Sequence, residues 1–292
     1  MSLEILLPAL IAAVAGTMAT ATHRRLRPHV AARLMVVTIA AVAVAVVPAM
    51  LVLGLGFVAH LPWFGGALAW CRDALGLHHQ IPPWLGVPAV AACVIGATRL
   101  HRVRRTWRRL RCTNAGEPEV LASADLFAYT MPGAGGQIVV SSGLVERLDE
   151  RELAVVVAHE RAHAIHRHDR YVLVGAVAVA LVPALVPLQR QLRFTLERWA
   201  DENAVAELAV ERHVVARTLA SVALSGAAAP AGAVGIVGLG VAGRVTALLE
   251  PPTTARSSLW LAVGAVGIVG VLGAAAVQAH HVLPLLASLC PG

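Results

Sequence analysis

Long apolar runs with almost no polar residues dominate the pattern along this chain. Four of them approach the roughly 20 apolar residues that a helix needs to cross a bilayer. They run from about Leu3 to Ala21, Leu34 to Ala59, Trp84 to Thr98 and Leu259 to Ala279. The pattern predicts a mainly α-helical, polytopic membrane protein with four transmembrane helices.

Residues 112–170 break this pattern, because charged and apolar positions are mixed there. The segments 126–131 and 137–142 resemble two short strands on either side of a Gly/Pro turn. Asp149 precedes Glu152 by three residues, which is the spacing of a capping box at the start of a helix. We therefore expect a soluble unit with a small β-sheet and a capped helix between the third and fourth spans.

Composition supports a membrane protein. The chain is 58% hydrophobic and 14% charged, whereas soluble domains are about 45–50% apolar and about 25% charged. So few charges exclude both an ordinary soluble domain and a disordered chain. The formal net charge is +7, and all 24 basic residues are arginine. They cluster beside the apolar runs, so we expect contact with membrane lipid and no direct binding of nucleic acid.

The arginines also predict the orientation, because basic loops stay in the cytoplasm. The loop from His60 to Pro83 carries one arginine, and none follows the last span. The N- and C-termini are therefore expected outside the cell membrane, with the soluble unit in the cytoplasm. The first run could also be a cleavable signal peptide, but its arginines follow the apolar stretch instead of preceding it. The arginines beside the first three spans are Arg24, Arg25, Arg27, Arg33, Arg99, Arg102, Arg104, Arg105, Arg108, Arg109 and Arg111.

The capped helix contains the sequence His159-Glu160-Arg161-Ala162-His163. Residues four apart lie on one helix face, about 5–6 Å from each other. Two imidazoles at this spacing can bind one zinc ion. Glu160 lies between them and can act as the general base. The four cysteines lack any metal-binding spacing.

A third zinc ligand is expected from the segment Glu197 to Asp201. Glu197 would bind the metal, and Asp201 would accept a hydrogen bond from the second ring nitrogen of a ligand histidine. A salt-bridged helix surface is the ordinary alternative for this pair. His166, His168 and His213 are rival ligands. We predict one Zn²⁺ per chain, bound by His159, His163 and Glu197.

The apolar run from Tyr171 to Leu188 lies between the proposed ligands. A single crossing would separate His163 from Glu197, and about 18 residues are too few to cross twice. Pro183 and Pro187 also interrupt its helix. The run is expected to extend the catalytic helix and then turn back, which places the zinc near the cytoplasmic membrane surface.

Other roles are assigned more loosely. Tyr129, His213 and Arg244 are candidate oxyanion donors. The strand Ile138, Val139 and Val140 is expected to bind substrate along an open edge. Residues 219–241 are either a linker or a fifth span, and the linker is favoured. The predicted organisation is a three-span region at 1–111, a metallopeptidase domain at 112–213, an Ala/Gly-rich cytoplasmic segment at 214–257 and a last helix with its tail at 258–292.

The stretch from Ile138 to His163, with the following His-Arg-His-Asp, resembles the BlaR/MecR family of integral-membrane zinc peptidases. The segment Glu197 to Asp201 is similar to that of the related HtpX and CAAX prenyl proteases. This resemblance covers about residues 120–205. It implies a zincin-like (gluzincin) domain on the cytoplasmic side, with His159, His163 and Glu197 as zinc ligands and Glu160 as catalytic base.

The resemblance also suggests a protein or peptide substrate, such as a BlaI/MecI-like transcriptional repressor. About a dozen residues follow the last span, so we expect no extracellular penicillin-binding sensor domain. The expected function is a membrane-embedded zinc endopeptidase that cleaves a cytoplasmic repressor or a membrane-proximal protein. The alternatives are a non-catalytic membrane signalling or scaffold protein with a structural zinc site, and a metal transporter or sensor.

Overall fold

The computed structural model describes residues 26–64, 81–110, 118–133, 136–224 and 240–251, together with positions 269 and 273. The first predicted span lies outside these residues, as does the last apart from those two positions. The described part is mainly helical with a small sheet, as predicted. Its elements are α1 Pro28–Ala59, α2 Pro83–Leu110, β1 Glu119–Leu121, β2 Ala128–Thr130, β3 Ile138–Ser141, α3 Ser142–Arg147, α4 Glu150–Ile165, α5 His168–Leu181, α6 Val186–Leu208, α7 Arg212–Leu224 and α8 Val241–Leu249, with a 3₁₀ turn at Pro183–Leu185.

The helices α1 and α2 correspond to the second and third predicted spans. They contain 32 and 28 residues, and both are long and apolar enough to cross a membrane. The two helices pack together closely, since a Cβ added at Gly86 would collide with the Phe57 ring. The helix α2 continues through the arginine-rich stretch to Leu110. Arginine is a good helix former, and neither glycine nor proline interrupts this stretch.

The sheet has the order β1-β3-β2. The strands β2 and β3 pair antiparallel, with Tyr129 opposite Val139, which confirms the predicted strand pair. The strand β1 pairs with β3 in parallel and is exposed at all three positions, so it carries no buried pattern that the sequence could reveal.

This strand order corrects the predicted substrate edge. The residues Ile138, Val139 and Val140 form the central strand, so β1 and β2 occupy its two sides. All three side chains are buried. Their apolar character therefore reflects a buried central strand and not an open edge.

The capping box predicted at the start of α4 is confirmed. The Asp149 side chain accepts from the Glu152 backbone N–H at 2.8 Å, and the Glu152 carboxylate accepts from the Asp149 N–H at 3.3 Å. The helix then ends at Ile165. Arg167 adopts a left-handed conformation, with φ 53° and ψ 46°, and α5 begins at the next residue.

This break corrects the expectation that the apolar run extends the catalytic helix. The run instead forms a separate helix, α5, which ends at Leu181 before the turn at Pro183–Leu185. Because α6 then returns to α4, the expected reversal of the chain is present. Both α5 and α6 pack against α1, and α5 also packs against α2.

Two apolar clusters hold the described residues together. One lies around α1, α5 and α6 and includes Met35, Leu192 and Trp199. The other lies beneath the sheet and continues into α7 and α8, which contribute Leu219 and Leu248. The packed unit therefore extends beyond residue 213, where the sequence places a domain boundary.

Candidate metal centre

The contact between α4 and α6 brings the predicted metal ligands together. His159 and His163 lie one turn apart on the face of α4 that meets α6, and Glu197 projects from α6 towards them. All three are buried, with exposed fractions of 0%, 2% and 5%. Each offers one ligand atom, and these atoms lie within 4.8 Å of one another.

The distances between these atoms fit a zinc ion. His159 Nε2 lies 3.1 Å from His163 Nε2 and 3.5 Å from Glu197 Oε2. His163 Nε2 lies 3.6 Å from Glu197 Oε1. Ligands bound tetrahedrally at 2.0–2.1 Å are separated by about 3.3–3.4 Å. Two imidazoles and a carboxylate are also the donor set of many catalytic zinc sites, so the residues present fit this metal.

Asp201 lies beside the ring of His159. Its Oδ1 is 3.0 Å from His159 Nδ1, on the side of the ring opposite the ligand nitrogen. Burial acts to raise the pKa of Asp201, but Arg244 and the adjacent His159 outweigh it, and the pKa falls well below its usual range. Asp201 is therefore ionised, and it can hold His159 in the tautomer that binds metal through Nε2.

Arg244 reaches this site from α8 and is fully buried. Its Nε and Nη2 donate to the two carboxylate oxygens of Asp201 at 2.9 and 2.6 Å. Its Nη1 lies 2.9 Å from Glu197 Oε2. Burial alone would raise the pKa of Glu197, yet Arg244 and the two ligand histidines lower it. The candidate oxyanion donor therefore compensates the charges of two buried carboxylates.

Glu160 is fully buried beside the ligands. The hydroxyl of Thr130 lies 2.9 Å from Glu160 Oε2 and 2.8 Å from the Glu160 backbone carbonyl. Thr130 thus connects β2 to the candidate base and restricts its side chain. No local signal singles out this residue, because threonine is common in strands and lies 30 positions from Glu160.

Two candidate oxyanion donors lie away from the ligand group. Tyr129 falls between Ala128 and Thr130, so strand alternation directs its ring to the other sheet face, where it lies 5.7 Å from the Phe127 ring. His213 is about half exposed and pairs with Glu211 at 2.9 Å. The structure brings neither side chain to the ligands.

The rival histidines occupy separate positions. His166 stacks on Trp199, with 4.7 Å between the ring centroids, and pairs with Asn203. His168 is fully buried, and its Nδ1 lies 2.7 Å from Nδ1 of His163. It therefore contacts the far side of a ligand ring and does not join the ligand atoms. The sequence offered it only as a rival ligand, and the break at Arg167 that brings it to His163 leaves no local signal.

The side of β2 that faces away from β3 pairs with no other strand among the described residues, although Ala128 and Thr130 are themselves buried. Phe127 accepts from the Ser141 N–H at 2.9 Å, and the Met131 N–H donates to Gln137 at 2.8 Å. Because bonding alternates along an antiparallel pair, the backbone groups of Ala128 and Thr130 point away from β3. The same strand supplies the Thr130 hydroxyl that contacts Glu160.

Comparison with known proteins finds similarity to peptidases. Residues 99–229 match the model of Peptidase family M48. The chain is 30% identical over 144 residues to a protein named "Protease HtpX homolog" from Thermoplasma acidophilum. This alignment covers 45% of the chain and 44% of the relative. It is 36% identical over 77 residues to a protein of the same name from Picrophilus torridus, covering 25% and 24%. No solved structure matches.

The chain thus spans less than half the length of these curated relatives. The matches support a metallopeptidase, and more closely an HtpX-like membrane zinc metallopeptidase. The matched segment contains all three candidate ligands, whereas Arg244 lies beyond it. The narrower resemblance to BlaR/MecR sensors stays a prediction.

Proposed function

We propose that this chain is a membrane-embedded, zinc-dependent endopeptidase. The observation that carries this proposal is the buried group of His159, His163 and Glu197 with Glu160 beside it. A structural zinc site would need no buried carboxylate next to its ligands. Burying such a carboxylate is costly, so its presence favours the enzyme over the non-catalytic scaffold.

The proposed chemistry divides among a few residues. His159, His163 and Glu197 would hold the ion. Zinc bound there would supply a Lewis acid for the scissile carbonyl and lower the pKa of water. Glu160 can accept a proton from the attacking water and return it to the leaving amide nitrogen. Thr130 restricts the Glu160 carboxylate to one orientation for both transfers.

The substrate is proposed to be an extended peptide that adds to β2. The backbone groups of Ala128 and Thr130 that face away from β3 would pair with such a peptide, as in other cases of strand addition, after the packing that buries these two residues is displaced. The Thr130 hydroxyl contacts Glu160, so a peptide on this edge would pass close to the base. This replaces the central strand β3 as the substrate-binding element.

The active site is proposed to lie at the cytoplasmic membrane surface. Supporting this, α5 and α6 pack against the candidate spans, and α2 ends in the arginines that favour the cytoplasm. A cytoplasmic repressor, such as a BlaI/MecI-like protein, or the membrane-proximal segment of another protein could reach such a site. The multi-pass topology, with both termini outside, is part of the same proposal.

The decisive experiment compares Glu160→Gln with the wild type in detergent. We expect about one zinc per chain in both proteins and a loss of casein cleavage of about 10²- to 10⁴-fold in the variant, since the proton acceptor is removed. Glu150→Gln is the matched control, because Glu150 is an exposed residue of the same helix. Wild-type protein that binds zinc but cleaves neither casein nor a peptide library would favour the non-catalytic scaffold. Cleavage that survives Glu160→Gln would show that another group is the base.

A further inference from the structure

His168 is a buried imidazole that the proposed mechanism does not use. Its exposed fraction is 0%, and its Nδ1 lies 2.7 Å from Nδ1 of His163. We propose that His168 is a positioning residue, which fixes the ring orientation and tautomer of the ligand His163. This inference rests on the metal centre proposed above and goes beyond the ligand set.

The hydrogen bond has one productive direction. His163 presents Nε2 to His159 and Glu197, at 3.1 and 3.6 Å. A ligand nitrogen must keep its lone pair for the metal, so the ring proton of His163 then resides on Nδ1. That N–H can donate to the unprotonated Nδ1 of His168. Each ligand histidine thus has its own neighbour at Nδ1, Asp201 at 3.0 Å for His159 and His168 at 2.7 Å for His163.

The backbone is shaped so that this contact can form. In a continuous α-helix, a residue five positions after His163 would be rotated by about 140° from it and could not meet its ring. The left-handed conformation of Arg167 ends α4 and starts α5 in a new direction. His168 is the first residue of α5, and the break turns its ring back onto His163.

Aromatic packing then restricts the His168 ring. The Trp199 ring lies 4.7 Å from it between centroids, and the Tyr171 ring lies 6.2 Å away, edge to face. Trp199 is two residues after Glu197 on α6. Helix α6 therefore supplies the ligand Glu197 and also packs through Trp199 on His168, the residue proposed to orient the ligand His163.

The test measures zinc affinity of the full chain in detergent, by competition with a chelator. We expect His168→Ala to weaken zinc binding by about 10- to 100-fold, the usual effect of removing a partner of a ligand histidine. His168→Asn should restore most of the affinity, because its side-chain oxygen can accept where Nδ1 did. The visible absorption of the Co²⁺-loaded protein should change in His168→Ala and return towards the wild type in His168→Asn.

His166→Ala is the matched control. His166 stacks on the same Trp199 but contacts no ligand in the described residues, so its loss should leave zinc affinity unchanged. The inference is overturned if His168→Ala binds zinc like the wild type, or if His166→Ala loses as much. Thermal unfolding without metal shows whether His168→Ala folds. If it does not, the inference is tested on His168→Asn, and it is overturned if this variant folds but does not bind zinc tightly. A wild-type chain that binds no zinc would refute the metal centre itself, and the inference with it.

Discussion

At the scale of single residues, the centre depends on Arg244. Glu197 and Asp201 are buried carboxylates, and one guanidinium contacts both. Removing one partner of a buried ion pair leaves an uncompensated charge, which costs about 3–5 kcal/mol. The contacts of Arg244 with Glu197 and Asp201 are therefore expected to stabilise the fold when no metal is bound, whatever Arg244 adds to catalysis.

Arg244→Gln should accordingly lower the free energy of unfolding of the metal-free protein by about 3–5 kcal/mol. Added zinc should restore part of this loss, because a cation at Glu197 compensates the same charge. Denaturant unfolding with and without zinc measures both effects. Arg217→Gln is the control, since Arg217 is an exposed residue of α7 and should change stability by no more than about 0.5 kcal/mol. Equal stability of Arg244→Gln and the control would contradict the charge argument.

Thr130 offers a second test at this scale. Thr130→Val preserves shape but removes the hydroxyl that contacts Glu160. A hydrogen bond to a charged group contributes about 1.5–3 kcal/mol, so kcat should fall by about 10- to 100-fold while bound zinc stays constant. Thr130→Ser, which keeps the hydroxyl, should retain most of the activity. A drop in zinc content parallel to the drop in kcat would indicate a disturbed fold instead.

At the scale of elements, β2 is the edge strand to which the substrate is proposed to add. Its Ala128 N–H points away from β3, so a proline there removes an outward donor without breaking the pair with β3. Proline is tolerated on the free side of an edge strand for this reason. Ala128→Pro should therefore raise KM for peptide cleavage, and, because Ala128 is buried, it should lower zinc affinity and thermal stability somewhat, but less than a proline in the central strand.

Val140→Pro is the contrasting variant. Val140 lies in the central strand and pairs in register with Val120 of β1 and Ala128 of β2. Loss of a ladder bond there should lower stability and zinc binding together. If Ala128→Pro behaved like Val140→Pro, or if it left KM unchanged, the peptide would not add to β2.

At the scale of the whole molecule, the two candidate spans α1 and α2 carry residues typical of membrane interfaces at both ends. Trp63 follows α1 and Trp84 begins α2, with exposed fractions of 91% and 70%. Tryptophan favours the membrane–water interface. The other end of α2 carries Arg108 and Arg109 in its last turn. One interface is thus proposed near the two tryptophans, and the cytoplasmic one near the arginines and the metal centre.

Cysteine labelling of intact cells tests this orientation. In a background without the four native cysteines, Pro62→Cys should react with an impermeant maleimide and Ala122→Cys should be protected. Each arginine moved to the wrong side would have to cross the hydrocarbon, at about 2.5–3.5 kcal/mol on insertion scales. Both positions are exposed in the protein, so burial does not explain protection. The reverse pattern would place the active site outside the cell.

Spacing within one segment determined much of this protein. The apolar runs predicted α1 and α2, the interval of three between Asp149 and Glu152 predicted the start of α4, and the interval of four in the HExxH motif placed two histidines on one face. These features depend on helix periodicity and on capping by neighbours in sequence. Such features can be predicted from one segment of the chain, because they do not depend on where any other element packs.

Only the tertiary structure decided which faces meet. Thr130 reaches Glu160 across 30 positions, and Arg244 reaches Asp201 across 43. The strand β3 became central because β1, three exposed residues without a pattern, paired with its second side. His168 met His163 because Arg167 took a left-handed conformation inside a helical sequence. Such contacts follow from how elements pack, and packing is a property of the whole fold, which no local period encodes.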